Sequence, residues 1–171
     1  MLNGKKFLYA ENETFQALLM QYKQQKYSMF ILLPKDPQSL ALFETPVSFA
    51  MFKDMHGSLA HRQVLVYFPK FMVETEYEMT DALKAMGIKL AFTDDAQFTK
   101  LADGNIRIDR IIHKTFIKVD EKKTEAAATT AVSAKMTAPD SPATFRADHP
   151  FIYFILENKT NAILFMGRFT G

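Results

Sequence analysis

The chain contains no cysteine, which excludes disulfide bridges and thiolate metal sites. This does not fix the compartment, because a chain large enough to bury a core can do without bridges even when secreted. No charge of one sign dominates: 21 Lys and Arg against 19 Asp and Glu leave a net +2. That is too little for the basic footprint of a nucleic-acid binder, and Lys5-Lys6 and Lys122-Lys123 are too sparse to change it. No apolar run approaches the roughly 18–20 residues of a membrane-crossing helix, so no membrane partner is expected. Met1 to Lys6 has no apolar signal core, so nothing in this chain is expected to direct export by itself. Internal repeats and a Gly-x-Ser-x-Gly elbow are also lacking. Six serines and four histidines do not assemble into a nucleophilic triad by spacing. His56 and His61, five apart near Asp54, lack a third ligand at useful spacing, so surface or capping histidines are expected rather than a metal site. No cofactor is expected.

Core material is plentiful. The 171 residues are 48% apolar, with 16 Phe and 10 Met, enough for one domain. The patterning is strand-rich. Phe7 to Ala10 and Phe15 to Met20 read as short strands around Glu11-Asn12-Glu13. Tyr27 to Leu33 is nearly all apolar and stops at Pro34, as a strand buried on both faces would. Leu40, Phe43, Val47, Met51 and Met55 recur every three or four positions, as on a helix face, but Pro46 interrupts them, which predicts two short helices. Val64 to Phe68 is a strand stopped by Pro69. Phe71 to Glu78 is a half-exposed strand with Glu74, Glu76 and Glu78 on its solvated face. Thr80 to Met86 is a short helix, capped near Thr80 or Asp81 and ended by Gly87. Ile106 to Val119 reads as a strand. Pro150 to Leu156 and Ala162 to Phe169 flank the turn formers Asn158 to Asn161 and read as a hairpin placed centrally in a sheet. Asn12-Glu13-Thr14 and Asn158-Lys159-Thr160 match the glycosylation triplet, the second within a tight turn.

Residues 121–145 stand apart, with seven Ala, five Thr, two Ser and two Pro. A linker, an Ala-rich helix capped at Thr124, and a long functional loop all fit such a composition. An interdomain linker is ruled out by length. Only 26 residues follow position 145, and a hairpin of that size is no stable domain. It must return to the core that Val119 left, which makes the segment a tether. Tethers longer than about 12–15 residues are usually functional or disordered. Thr124 to Val132 is almost entirely small, with β-branched residues mixed in, so it can slip between existing strands and then form one.

These residues resemble the serpin family. Val119-Asp120-Glu121 followed by Thr124 to Val132 (TEAAATTAV) is similar to the hinge of an inhibitory reactive-centre loop. Phe145 to Phe151 (FRADHPF) resembles the signature beyond that loop, where His149 is expected to hydrogen-bond within the fold. Asn158-Lys159-Thr160 and Ile163 to Arg168 resemble the closing hairpin. Ser28 to Pro34, Pro69-Lys70-Phe71, Ala82-Leu83 and Met86-Gly87-Ile88 match family segments upstream, in the family's order along essentially the whole chain.

The resemblance implies a mixed α+β, strand-dominated fold, the C-terminal portion of a serpin. It implies a single partial domain over 1–171, with a reactive-centre loop at 121–145 and a closing hairpin at 146–171. The implied function is suicide inhibition of a serine protease by loop cleavage and insertion of the loop into a β-sheet. No residue would act as an enzyme's catalyst. The hinge falls on Glu121, Lys123, Thr124, Glu125, Ala126, Ala127, Ala128, Thr129 and Thr130. Counting from Glu121 puts the scissile bond after Thr137, before Ala138. Counting back from Phe145 puts it between Met136 and Thr137, and Lys135 is a third candidate. Met136 or Thr137 suits an elastase-like or chymotrypsin-like partner, Lys135 a trypsin-like one. The resemblance also implies an extracellular setting, with an intracellular one left open by the bare N-terminus.

Two departures bear on mechanism. Lys123 stands where the family usually has glycine, which would slow insertion. A serpin is also more than twice this length, so the partners include a missing N-terminal serpin half or a second copy. The alternative function is therefore a non-inhibitory or truncated relative acting by strand-mediated association.

Overall fold

Strand β3 (Tyr27–Pro34) sets the architecture. Its apolar run is buried at every position after Tyr27, because β2 (Phe15–Gln21) and β8 (Phe151–Glu157) pair with its two edges. The computed structural model describes residues 6–44, 48–101, 103–120 and 141–171, in two units: Met1–Pro69 with Asp120–Gly171, and Lys70–Val119. Among the described residues there are nine strands, two α-helices and two 3-10 segments, which bears out the strand-dominated α+β expectation. No helix among them is long and apolar enough to cross a membrane.

The larger unit holds a seven-stranded sheet in the order β7-β4-β1-β2-β3-β8-β9. The further strands are β1 (Lys6–Glu11), β4 (Ala60–Tyr67), β7 (Ala143–Arg146) and β9 (Ile163–Phe169). Because side chains alternate along a strand, Ala17, Leu19, Phe30, Leu32, Phe154 and Leu156 share one face. Helix α1 (Ser48–Gly57) covers that face with Phe52 and Met55. Phe52 meets Phe30 edge-on at 5.3 Å and Phe154 at 4.8 Å. Such ring contacts stabilise by about 0.5–1.5 kcal/mol beyond their burial. The predicted break in the helical stripe holds: a 3-10 segment, Pro37–Glu44, precedes α1. Strand β4 starts earlier than expected, because residues 60–63 pair with β1.

The hairpin of β8 and β9 forms as expected, with Asn161 at φ 58° in its turn. It is not central in the sheet. Among the described residues β8 lies between β3 and β9, and β9 is an edge strand.

The smaller unit pairs β5 (Phe71–Glu78) with β6 (Ile112–Val119), antiparallel. Glu74, Glu76 and Glu78 are exposed as expected, and Glu76 pairs with Lys114 at 2.8 Å. β6 starts later than the predicted Ile106, because the Ile108 N–H donates to the Ala91 carbonyl, which takes that backbone away from β5. Helix α2 (Thr80–Ala85) is not capped by Thr80 or Asp81. Met79 holds the cap position without a side-chain bond. The Thr80 hydroxyl and the Thr80 N–H instead both bond the Glu78 carboxylate, the N–H reaching Oε1 at 3.0 Å, and together they hold the Glu78 carboxyl below its usual pKa. The Thr80 hydroxyl oxygen also accepts from the Ile111 N–H at 3.0 Å, which engages it away from the helix. Gly87 ends the helix with φ +100°, a conformation that suits glycine.

Candidate reactive loop and its anchors

The expected hinge residues (Glu121, Lys123, Thr124, Glu125, Ala126 to Ala128, Thr129, Thr130) and the bond window from Lys135 to Ala138 lie outside the described residues. What is described are the two strands that bracket them.

On the near side, β6 ends at Val119. Among the described residues it pairs along one edge only, with β5. The Thr75 and Thr115 hydroxyls hydrogen-bond across that pair, one of the cross-strand contacts that fix its register.

On the far side, β7 is four residues long and runs parallel to β4, with Val64 opposite Ala143 and Tyr67 opposite Arg146. So short an edge strand needs further ties, and the FRADHPF segment supplies them. Phe145 is fully buried and Ala147 nearly so. The Ala147 N–H donates to the Tyr67 carbonyl at 2.9 Å, and the Arg146 guanidinium lies 4.0 Å from the centre of the Tyr67 ring. His149 Nε2 is 2.6 Å from the Pro34 carbonyl. A carbonyl only accepts, so this nitrogen carries a proton. Nδ1 faces the Asp148 carboxylate at 3.0 Å, and that bond holds Asp148 below its usual pKa. His149 thus ties the segment after the loop to the end of β3, the role expected for it.

Sequence reasoning missed Gln16 and Tyr9. Gln16 Nε2 donates to the Thr144 carbonyl at 3.0 Å and lies 2.9 Å from the Tyr9 hydroxyl. Burial, with the Glu11 charge beside it, pushes the Tyr9 phenol up to about 12. Burial also disfavours the Glu11 charge, but Lys35 at 3.3 Å, Tyr9, and Arg62 at 3.1 Å outweigh it and hold that carboxyl low. No local pattern marks a glutamine that bonds 128 positions away.

Both glycosylation triplets have structural duties. Asn12 Oδ1 accepts from the backbone of Thr14 and Phe15. Asn158 Oδ1 accepts from the Ser28 hydroxyl, and its Nδ2 donates to the Gln25 carbonyl. His56 stacks on Phe52 at 5.8 Å and meets Phe30 edge-on at 5.4 Å. His61 lies on β4 opposite Leu8. Among the described residues no cluster of His, Cys, Asp and Glu is suited to a metal ion.

A family model described as Serpin (serine protease inhibitor) matches residues 1–171. A serpin-like protein of Thermococcus kodakarensis is 40% identical over 166 residues, covering 95% of this chain and 38% of that protein. Serpin B8 of Homo sapiens is 37% identical over 167 residues, covering 95% of this chain and 45% of its own length. Among solved structures, uncleaved ovalbumin superposes with a TM-score of 0.85 at 26% identity, over 99% of this chain and 46% of ovalbumin. The native thermophilic serpin tengpin gives 0.76 at 32% identity, over 99% and 45%. The chain spans less than half the length of the relatives it matches.

Proposed function

Because the chain belongs to the serpin family, we propose that it inhibits serine proteases as a suicide substrate through residues 121–145. The protease's serine attacks a carbonyl in the window from Lys135 to Ala138, with Met136-Thr137 and Thr137-Ala138 the preferred bonds. The amine leaves and an ester to the enzyme forms. Before water releases that ester, the freed segment from Glu121 to Thr130 enters a sheet beside β6 and carries the protease with it. The serine and its base belong to the protease, and no side chain of this chain acts as a catalyst. An elastase-like or chymotrypsin-like target follows from Met136 and Thr137, a trypsin-like one from Lys135. With no cysteine, the loop works equally in an oxidising or a reducing compartment.

The observation that carries this reading is a bracketed tether. A long segment of small and β-branched residues leaves a strand whose second edge is unpaired among the described residues, and it returns through a heavily anchored one. The small residues suit insertion, and the anchors on β7 keep the far end in place when the loop is cut.

Peptide mapping after brief exposure to elastase-like, chymotrypsin-like and trypsin-like enzymes tests the bait. Cleavage confined to residues 135–138 is expected. First cuts elsewhere in the chain would remove the basis for this bond assignment. A second reading, strand-mediated association without trapping, is favoured by the exposed apolar strand β9.

A further inference from the structure

The Thr144 carbonyl, within β7, can only accept a hydrogen bond. The side-chain nitrogen of Gln16 stands 3.0 Å from it, and the same nitrogen stands 2.9 Å from the Tyr9 hydroxyl oxygen. An amide nitrogen carries two hydrogens and accepts nothing. Gln16 therefore donates to both, which fixes its amide in one orientation and makes the Tyr9 oxygen an acceptor. The Tyr9 proton must then point elsewhere, and it goes to Glu11, whose carboxylate bonds the hydroxyl. Lys35 at 3.3 Å and Arg62 at 3.1 Å keep that carboxylate charged and in place. A charge on β1 sets the direction of each bond in a row that ends on β7.

The row is placed where it can matter. Tyr9 is 3% exposed, so water does not readily replace its partner. β7 has only four residues, and among the described residues it pairs with β4 alone. Gln16 bonds the backbone of that short strand from β2, which does not pair with it. We infer that Gln16 and Tyr9 are positioning residues for the far end of the loop: Tyr9, held by Glu11, orients the Gln16 amide, which fastens β7 at Thr144 and so confines protease attack to the segment before it. The confinement rests on the reading of residues 121–145 as bait. The fastening of β7 does not.

Hydrogen exchange over residues 143–147 of the 171-residue chain reads the fastening, with residues 28–33 of β3 as the control. Gln16→Ala should speed exchange over 143–147 by roughly fivefold, the worth of one hydrogen bond, and leave β3 unchanged. Gln16→Glu keeps the size of the side chain but puts acceptors where the donors stood. It should speed exchange at least as much, whereas a space-filling role would be preserved. Tyr9→Phe removes a hydroxyl with no bond to β7, yet it should also speed exchange there, and should add nothing once Gln16 is alanine. Brief trypsin digestion reads the consequence: the cut after Arg146 should quicken by a similar factor in all three variants. Unchanged exchange over 143–147 in Gln16→Ala, protection kept by Gln16→Glu, or a Tyr9→Phe effect that persists without Gln16 would each overturn the inference. Faster exchange with an unchanged cut after Arg146 would overturn the confinement. First cuts of the unsubstituted chain outside 135–138 would refute the bait and leave the fastening of β7 standing.

Discussion

Asn158→Ala should unfasten the hairpin from the turn between β2 and β3. Asn158 Nδ2 donates to the Gln25 carbonyl at 2.7 Å, and its Oδ1 accepts from the Ser28 hydroxyl at 2.7 Å. The two losses differ. Gln25 is exposed, so water replaces its bond at little cost. Ser28 is fully buried, so its hydroxyl is left without an acceptor. A lost hydrogen bond costs about 1 kcal/mol, and an unsatisfied buried group about 1–3 kcal/mol. Together these give a destabilisation of about 2–4 kcal/mol. With a typical urea dependence for a small protein, the midpoint should fall by roughly 1–2 M. A second substitution separates the terms. Ser28→Ala removes the orphaned hydroxyl, so adding it to Asn158→Ala should cost less than it does alone, with a coupling of about 1–2 kcal/mol. Equilibrium urea unfolding of the four chains supplies the cycle. An Asn158→Ala midpoint matching the unsubstituted chain, or additive substitutions, would show that the bond to Ser28 does not hold the hairpin.

Gly167→Ala should cost about 1–3 kcal/mol by overpacking, because a Cβ there would run into the phenol end of Tyr153, a ring 2% exposed; an unchanged urea midpoint would show that the ring yields freely. Burial holds His56 below the usual histidine pKa, so the folded chain prefers it neutral. Its contribution is complete above about pH 6.5 and is lost as the pH falls from there through the lower folded value. The thermal midpoint should therefore drop less on acidification in His56→Phe than in the unsubstituted chain, and parallel curves would contradict this. Lys123→Gly should raise the fraction of protease trapped per loop cleaved, measured as the stoichiometry of inhibition, since glycine eases the backbone swing at the hinge; an unchanged fraction would clear Lys123 of slowing insertion.

Much of the fold was legible because its signals are local. Pro34 ends β3, Pro46 lies between the 3-10 segment and α1, and Gly87 and Asn161 take the positive φ their turns need. The tether also stood out by composition, since small residues over that length cannot contribute a packed core. What escaped the sequence depends on long-range partners. Ile106 to Ile111 is as β-branched as the strand after it, yet a bond from Ile108 to Ala91 takes its backbone. Thr80 is a good capping residue, but its hydroxyl is taken by the N–H of Ile111, 31 positions away. β8 and β9 are similarly apolar, and pattern alone cannot tell a covered strand from an uncovered one. Gln16 became visible only when the fold brought it to Thr144 and to the Tyr9 hydroxyl.

Trapping separates a serpin inhibitor from a mere substrate. The most direct measurement is therefore a denaturing gel of the chain after incubation with elastase-like, chymotrypsin-like and trypsin-like proteases. Suicide inhibition through residues 121–145 requires a band at the summed mass of protease and the part of the chain before the cut that survives denaturant, as an ester would. Complete cleavage in the 135–138 window with every molecule of protease still free and active would contradict it.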